Sequence, residues 1–311
     1  MLCAERQAAS AVLMVRPALF AGNAETAESN SFQTTALPGP DVAAAAQREF
    51  DALAAKLAAA GIRVYSFEGR SAALTPDEVF PNNWLSLHAD GTAVLYPMMA
   101  ESRRRERRLD LLESLQRRHG YRVARIVDLT HFETRGSSLE GTGSLVLDRV
   151  QRVAYACRSP RTHADALAEF GRKLQYEIVA FDAADRAGRA IYHTNVLMSV
   201  GTAFAAICLD AVRDAATRAR LRDRLEASGR EVIALSFAQL HAFAGNLLAL
   251  SAGGREIIAL SSAALASLEE RQRLALAAHG ELVAADIATI ERHGGGSVRC
   301  MLAEVHLPAS T

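Results

Sequence analysis

The sequence predicts an α/β protein built from five similar units that close into a ring. A helical segment followed by a short apolar strand recurs five times along the 311 residues. Between these pairs, two short apolar segments separated by a turn also recur, at spacings of 60, 52, 51 and 54 residues. The last such segment, Cys300–Val305, would have to pair with the N-terminal Ala11–Val15, which closes the ring. An ordinary doubly wound sheet is the alternative, and the recurring hairpins favour the ring.

Each predicted helix ends near a glycine or directly before a strand. The first follows two prolines, begins at Asp41 and stops at Gly61, with Phe50, Leu53 and Leu57 on one face. The strand after it alternates apolar and polar residues, as a half-buried strand does. The predicted helix–strand pairs are Asp41–Ala60 with Ile62–Tyr65, Glu101–His119 with Tyr121–Val127, Thr162–Leu174 with Gln175–Phe181, Ala211–Ala227 with Glu231–Leu235, and Ser262–Ala278 with Glu281–Ala284.

One polar or small residue stands at the same place in every unit, directly before or at the start of its hairpin. Because the units repeat around a ring, we expect these five lead residues to converge on one axis. The lead residues are Asn83, Gly143, Asn195, Asn246 and Cys300. Glu140 and His193 lie close to them in sequence.

Composition excludes several classes of protein. Half of the residues are hydrophobic and 35 cations balance 35 anions, so the chain is globular and carries no overall basic charge for nucleic acid or an anionic membrane. The four cysteines lack zinc spacing, and no apolar run reaches about 18 residues. We expect a single domain over residues 1–311, with loose ends at about 1–10 and 307–311, in the cytoplasm.

A cysteine, a histidine and a carboxylate that converge in a channel can form a thiolate nucleophile with a general acid/base. Cys300 is the candidate nucleophile, and the glycine run 294–296 before it lets the backbone approach a ligand closely. Cys157 and Cys208 lie in apolar strands, where core packing is the expected role.

The ordered motifs Phe80–Asn83, Leu139–Gly143 and His193–Asn195, with the late Cys300, resemble the guanidine-modifying superfamily. That superfamily holds arginine deiminases, dimethylarginine dimethylaminohydrolases and amidinotransferases, and its fold is a five-bladed α/β propeller. Within it, the sequence is most similar to the citrulline utilization hydrolases, over about residues 11–306. Further motifs carry that similarity: Pro81–Trp84, Leu95–Pro97, His131–Glu133, Leu139–Leu147 and Phe243–Asn246.

The resemblance implies roles for individual residues. Cys300 would attack the planar carbon of the substrate, His193 would shuttle the proton, and Glu140 would sit beside His193 and the substrate nitrogens. Arg103 and Arg161 match the arginines with which deiminases bind the substrate carboxylate.

Asn83 and Asn195 stand where arginine deiminases have aspartates. A guanidinium is a cation with donors only and is best matched by carboxylates, whereas a ureido group is neutral and has a carbonyl acceptor. The two asparagines therefore favour citrulline, hydrolysed to ornithine, ammonia and carbon dioxide, with no cofactor and no metal.

The expected partner is a small amino-acid substrate, with no nucleic acid and no membrane, and a homodimer is compatible with the sequence. An arginine deiminase, a dimethylarginine dimethylaminohydrolase or an amidinotransferase is the alternative, and a non-catalytic binding propeller is a weaker one. His131 and Glu133 could line the channel or brace Glu140. Asn246 is expected to be a structural repeat residue rather than a ligand contact.

Overall fold

The computed structural model describes residues 5–30, 32–34, 41–70 and 74–310. In these ranges the strands form five three-stranded sheets, each with an inner strand antiparallel to the middle strand and an outer strand parallel to it. From inner to outer strand, the sheets are β15 (Ala303–Glu304), β1 (Ala11–Arg16) and β2 (Arg63–Glu68); β3 (Leu85–Leu87), β4 (Thr92–Leu95) and β5 (Arg125–Asp128); β6 (Val146–Asp148), β7 (Val153–Cys157) and β8 (Glu177–Phe181); β9 (Met198–Val200), β10 (Phe204–Ile207) and β11 (Glu231–Ala234); β12 (Leu248–Ala252), β13 (Arg255–Ser261) and β14 (Glu281–Ala285).

The two ends of the chain share one sheet, which closes the ring as the sequence predicts. β1 pairs antiparallel with β15, with Val12 opposite Glu304, and parallel with β2, with Val12 opposite Val64. The fold is thus the five-bladed α/β propeller, called a pentein.

Helices connect the middle and outer strands, and shorter ones lie at the strand ends. The α-helices of the described ranges are α1 (Ala24–Ala27), α2 (Asp41–Ala59), α3 (Glu101–Arg104), α4 (Leu109–His119), α5 (Gly141–Ser144), α6 (Ala164–Leu174), α7 (Thr194–Leu197), α8 (Ala215–Ala227), α9 (Phe237–His241), α10 (Ser262–Ser267), α11 (Glu270–His279) and α12 (Ala288–Gly294). Phe50, Leu53 and Leu57 of α2 are buried against its sheet, as predicted.

Two predicted helices are each broken in two. The stretch 101–119 is α3 and α4, because Arg108 takes an extended backbone before α4. The stretch 262–278 is α10 and α11, because Leu268 is extended and Glu269 starts the second helix with a capping box to Gln272.

The expectation of a loose N-terminal end is wrong for residues 5–10, which pack into the far end of the ring. The Gln7 amide donates to the carbonyls of Leu147 and Val200, each at 2.9 Å, and Glu5 pairs with Arg149 at 2.6 Å. At the other end Leu307 is buried as well. Residues 308–310 are held as well, since Ala309 pairs with Tyr121 and Ser310 N donates to Gly120 O at 2.7 Å. The remaining predicted loose ends, residues 1–4 and 311, lie outside the described residues. No helix in the described ranges is long and apolar enough to cross a membrane.

Each inner strand follows a tight turn that carries a lead residue to the axis. Pro81–Asn83 and Val298–Met301 are 3₁₀ turns, and α5 and α7 are single helical turns. Crowding at the axis explains the glycine among the lead residues. A Cβ on Gly143 would lie 2.5 Å from Asn83 Nδ2 and 2.7 Å from His193 Nδ1.

Candidate active site

The turns at one end of the axis enclose a small, narrow cavity. It is lined by Thr26, Asn30, Asp77, Phe80, Asn83, Arg103, Arg161, Tyr192, His193, Gly294, Gly295, Gly296 and Cys300. A wider surface cleft, between Arg158 and Arg220, brings together none of the residues predicted for the site. The smaller cavity is therefore the candidate active site.

Cys300 lies in the turn Val298–Met301 and is 2% exposed. Its Sγ atom is 3.3 Å from Asn246 Nδ2 and 3.5 Å from Asn195 Nδ2. Two amides from neighbouring repeats therefore flank the sulfur. Cys157 and Cys208 are fully buried in the hydrophobic core, where their apolar strands were expected to place them.

His193 and Glu140 form a buried pair in which Nε2 lies 2.9 Å from Glu140 Oε2. Burial opposes ionisation of Glu140, but Arg161, His193 and Arg103 outweigh it and hold the pKa of this carboxyl well below its usual range. Burial lowers the pKa of His193 to about 4, so the ring is neutral at pH 7. An ionised Glu140 accepts a hydrogen bond from the Nε2–H group of His193. The Nδ1 atom of the ring is then unprotonated, and its lone pair can take a proton.

Arg103 and Arg161 flank Glu140, at 3.7 Å and 3.4 Å from Oε2. Arg103 forms two parallel hydrogen bonds with Glu106, both at 3.0 Å, and donates to Asn83 Oδ1 at 2.8 Å. Arg161 donates from Nε and one terminal nitrogen to Ser29 Oγ. Each guanidinium carries five N–H groups, so both arginines keep a donor for a ligand.

The two asparagines expected to contact the substrate differ in position. Asn83 Oδ1 accepts from Arg103, which fixes the amide so that Nδ2 faces Gly143 and the axis; Nδ2 also donates to Asn82 Oδ1 at 3.0 Å. Asn195 instead lies against the sulfur of Cys300. Of these two asparagines, Asn83 lines the cavity and Asn195 does not.

Asp77 is a cavity residue that the sequence motifs missed. It is 2% exposed, and its Oδ2 accepts from Asn23 at 2.8 Å and lies 3.7 Å from Arg103 Nε. Its Oδ1 has no hydrogen-bond partner among the described residues. Burial raises the pKa of this carboxyl. Its acidic neighbour Glu78 binds backbone N–H groups of Ala18 and Arg70 instead. The one sequence feature that could have indicated this residue was its position, three residues before Phe80 of the Phe80–Asn83 motif.

His131 and Glu133 lie outside the cavity. His131 is exposed, and Glu133 accepts from Met98 N at 2.9 Å and pairs with Arg107. Met99 N donates to Glu140 Oε1 at 3.1 Å, so Glu133 and Glu140 hold neighbouring residues of one loop. In the described part of the chain, no group of three or more His, Cys, Asp or Glu side chains could hold a metal ion.

Residues 16–307 match the family model described as N,N dimethylarginine dimethylhydrolase, eukaryotic. The chain belongs to this family. Membership in the dimethylarginine dimethylhydrolase family places it among the pentein guanidino-modifying enzymes, as the motifs predict. Its particular closeness to the citrulline utilization hydrolases stays a prediction. A search of curated proteins found no match.

Solved structures share the fold of this dimethylarginine dimethylhydrolase family member at low sequence identity. The N-terminal domain of ArgZ, an arginine dihydrolase from the ornithine-ammonia cycle in cyanobacteria, is 16% identical with a TM-score of 0.72, covering 95% of this chain and 97% of that domain. AgrE, solved with ornithine and NAD⁺, is 16% identical with a TM-score of 0.73, over 96% of this chain and 39% of AgrE. A dimethylarginine dimethylaminohydrolase adduct is 15% identical with a TM-score of 0.64, over 95% and 99%.

Proposed function

We propose that this chain is a cysteine-dependent hydrolase that cleaves a C–N bond of a ureido or guanidino amino acid. The observation that carries the proposal is the convergence of Cys300 and the Glu140–His193 pair on one small, buried cavity. A nucleophile, a base and a group that orients the base are the parts that covalent hydrolysis needs.

The reaction follows from the tautomer of His193. Nδ1 takes the proton of the Cys300 thiol, and the thiolate adds to the substrate carbon. The C–N bond breaks as His193 returns the proton to the leaving amine, which leaves a thiol-bound carbamoyl group. Water then gives a proton to His193 and displaces the sulfur, and the carbamic acid decomposes to ammonia and carbon dioxide. This chemistry consumes one water and needs no cofactor.

Citrulline is the substrate that the Asn83 amide favours. Because Asn83 Oδ1 is occupied by Arg103, the group that faces the axis is the Nδ2 donor. A ureido oxygen accepts such a donor, whereas a guanidinium has only donors of its own. One Nδ2–H group already donates to Asn82 Oδ1, and beside a guanidinium the second would lack an acceptor, at a cost of about 1–3 kcal/mol that disfavours arginine at this position. The products would be ornithine, ammonia and carbon dioxide.

A guanidino amino acid such as arginine is the second candidate, and Asp77 supports it. Arg103 lies 3.7 Å from Asp77, 3.0 Å from Glu106 and 3.7 Å from Glu140, and Arg161 lies 3.4 Å from Glu140, so three carboxyl groups adjoin two guanidinium groups. Burial raises the pKa values of Asp77 and of Glu106, the latter to about 8, so a substrate cation beside Asp77 would favour its ionised form. The unpartnered Asp77 Oδ1 would accept a donor from a guanidinium or from the substrate ammonium. Family membership fits this candidate equally well.

The test is to assay the purified chain with citrulline, arginine and dimethylarginine, and to follow ornithine, citrulline and ammonia. We expect citrulline to give ornithine with the highest kcat/KM, Cys300→Ser to be inactive while folded, and Cys157→Ala to stay active. Turnover of arginine to citrulline with no further hydrolysis would instead assign a deiminase. Full activity of Cys300→Ser would refute the covalent mechanism.

A further inference from the structure

Asn246 sits in a constrained turn directly behind the nucleophile. The residue is fully buried, and the preceding turn holds Phe243 at φ 59°, a conformation that bulky residues rarely adopt. A Cβ on Gly245 would lie 2.5 Å from the carbonyl oxygen of Val196, so this turn is pressed against α7. Strain of this kind costs about 1–3 kcal/mol and persists where the surrounding structure needs the geometry.

The partners of the Asn246 amide fix its orientation. Oδ1 accepts the backbone N–H of Arg299 at 3.0 Å, and Nδ2 donates to the carbonyl oxygen of Asn195 at 2.8 Å. Turning the amide over would place donor against donor and acceptor against acceptor. The atom that lies 3.3 Å from Cys300 Sγ is therefore Nδ2, a donor.

We propose that Asn246 is a positioning residue for Cys300: its Nδ2–H group holds Sγ toward the cavity, while the same amide ties together the turns that carry Asn195 and Cys300. This inference rests on the proposed function, in which Sγ is the attacking atom. Displacement of a reacting atom by about 1 Å can cost 10²-fold in rate, so one amide can have a large effect.

The Asn246 amide makes both structural and positioning contacts, and Nδ2 takes part in both. Oδ1 accepts from the backbone N–H of Arg299, while the two Nδ2–H groups reach the carbonyl oxygen of Asn195 and the sulfur of Cys300. A purely structural role is therefore tested by measuring sulfur reactivity and folding in the same variants. Asn246→Asp keeps the shape and an acceptor for Arg299, and loses the N–H donor. Asn246→Ser removes the amide without adding a charge. Asn82→Asp is the control for the alkylation rate alone, because Asn82 is equally buried and its side chain bonds to Thr142 Oγ1 and Asn83 Nδ2 rather than to the sulfur.

The experiment measures alkylation of Cys300 by iodoacetamide at pH 7.5, followed by mass spectrometry, and needs no substrate. We expect Asn246→Asp and Asn246→Ser to slow alkylation at least 10-fold, and Asn82→Asp to react at the wild-type rate. With the substrate that the wild type turns over, kcat should fall at least 10²-fold while KM stays within threefold.

Labelling of Cys157 and Cys208, both buried in the core, reports unfolding. If Asn246→Asp unfolds, Asn246→Ser carries the test. A wild-type alkylation rate in either folded variant overturns the proposal, as does unfolding of both. If alkylation slows as expected but the wild type turns over none of the candidate substrates, the proposed function fails while the positioning role stands.

Discussion

Under the proposed function, the orientation of a single amide determines which substrate charge the cavity prefers. Arg103 donates to Asn83 Oδ1 and Asn82 takes one Nδ2–H group, so the other Nδ2–H donor is left for the axis. A carboxylate at this position would keep the bond to Arg103 and turn an acceptor toward the axis instead. The substitution changes the charge and the hydrogen-bond polarity with almost no change in volume.

Asn83→Asp should therefore lower kcat/KM for citrulline and raise it for arginine, each by about 10-fold or more, since a charge-assisted bond contributes about 1.5–3 kcal/mol. The measurement is the ratio of the two kcat/KM values in wild type and variant. A ratio that already favours arginine in the wild type, and that the substitution leaves unchanged, would exclude the role of Asn83 in substrate choice.

Gly143 is the lead residue with no side chain, and the crowding around it explains why. An alanine Cβ would come within 2.7 Å of His193 Nδ1 and 2.5 Å of Asn83 Nδ2. We expect Gly143→Ala to displace the His193 ring and lower kcat/KM at least ~10²-fold. Gly229→Ala is the control, because no atom of the described residues lies within 4 Å of its Cβ. Its φ of 81° is unfavourable for alanine, so the variant should lose about 1–2 kcal/mol of stability but keep its activity. Equal activity in both variants would contradict the crowding argument.

Sequence reasoning found the residues that belong to short ordered motifs, and it missed those that reach the cavity from elsewhere. Cys300, His193, Glu140, Asn83, Arg103 and Arg161 all line or adjoin the cavity. Asp77 could not be predicted, because its role depends on whether Asp77 or Glu78 faces inward. That choice is made by the backbone N–H groups of Ala18 and Arg70, which bind Glu78 and are distant in sequence.

Among the larger elements, the total extent of the helices was predicted well, but the interruptions in two of them were not. The second break occurs at a local interaction that competes with the helix, whereas no side-chain cap marks the first. At 268–269 the competitor is a capping box, whose Glu269 and Gln272 can also be read as ordinary helix formers. The hairpin repeat was a reliable signal of the fold because the same pattern recurs five times at a long spacing. A helix break is harder to predict because it depends on only one or two residues.

The start of α8 depends on one capping side chain, since Asp214 accepts from Thr217 N at 2.7 Å. Asp214→Ala should lower the free energy of unfolding by about 1 kcal/mol and leave kcat/KM unchanged, because α8 lies on the outside of the ring. Urea unfolding measures the change. Asp223→Ala, an exposed position within the same helix, should be nearly neutral. A loss as large at Asp223 would show that the cap contributes nothing specific.

At the scale of the whole molecule, buried neutral histidines link stability to pH. Burial lowers the pKa values of His88, His193 and His306 below the usual 6.5. Below pH 6.5 the unfolded chain takes up protons that the folded chain refuses, so stability falls as the pH falls. For His193, whose pKa is about 4, the loss develops between pH 6.5 and about 4.

His193→Gln should remove this part of the pH dependence. Between pH 7.5 and 4.5 the free energy of unfolding of wild type should fall more steeply than that of the variant, by up to about 3 kcal/mol. Urea unfolding at one-unit pH intervals gives both slopes, and titrating groups that do not contact His193 cancel in the difference. Parallel slopes would mean that folding does not lower the pKa of His193. A steeper fall in the variant would mean that the ring is charged in the folded protein, which would contradict the neutral tautomer used in the mechanism.

The sheet shared by the two ends of the printed chain also has a consequence for synthesis on the ribosome. β1 emerges first, but its inner partner β15 follows about 290 residues later, and Cys300 lies directly before β15. At about 5–20 residues per second, that interval lasts roughly 15–60 seconds. In the later part of this interval the nascent chain carries Glu140 and His193 with no nucleophile beside them. Under the proposed function, hydrolytic capacity would therefore not build up gradually in a growing chain; it would arise in one step, when the last blade closes.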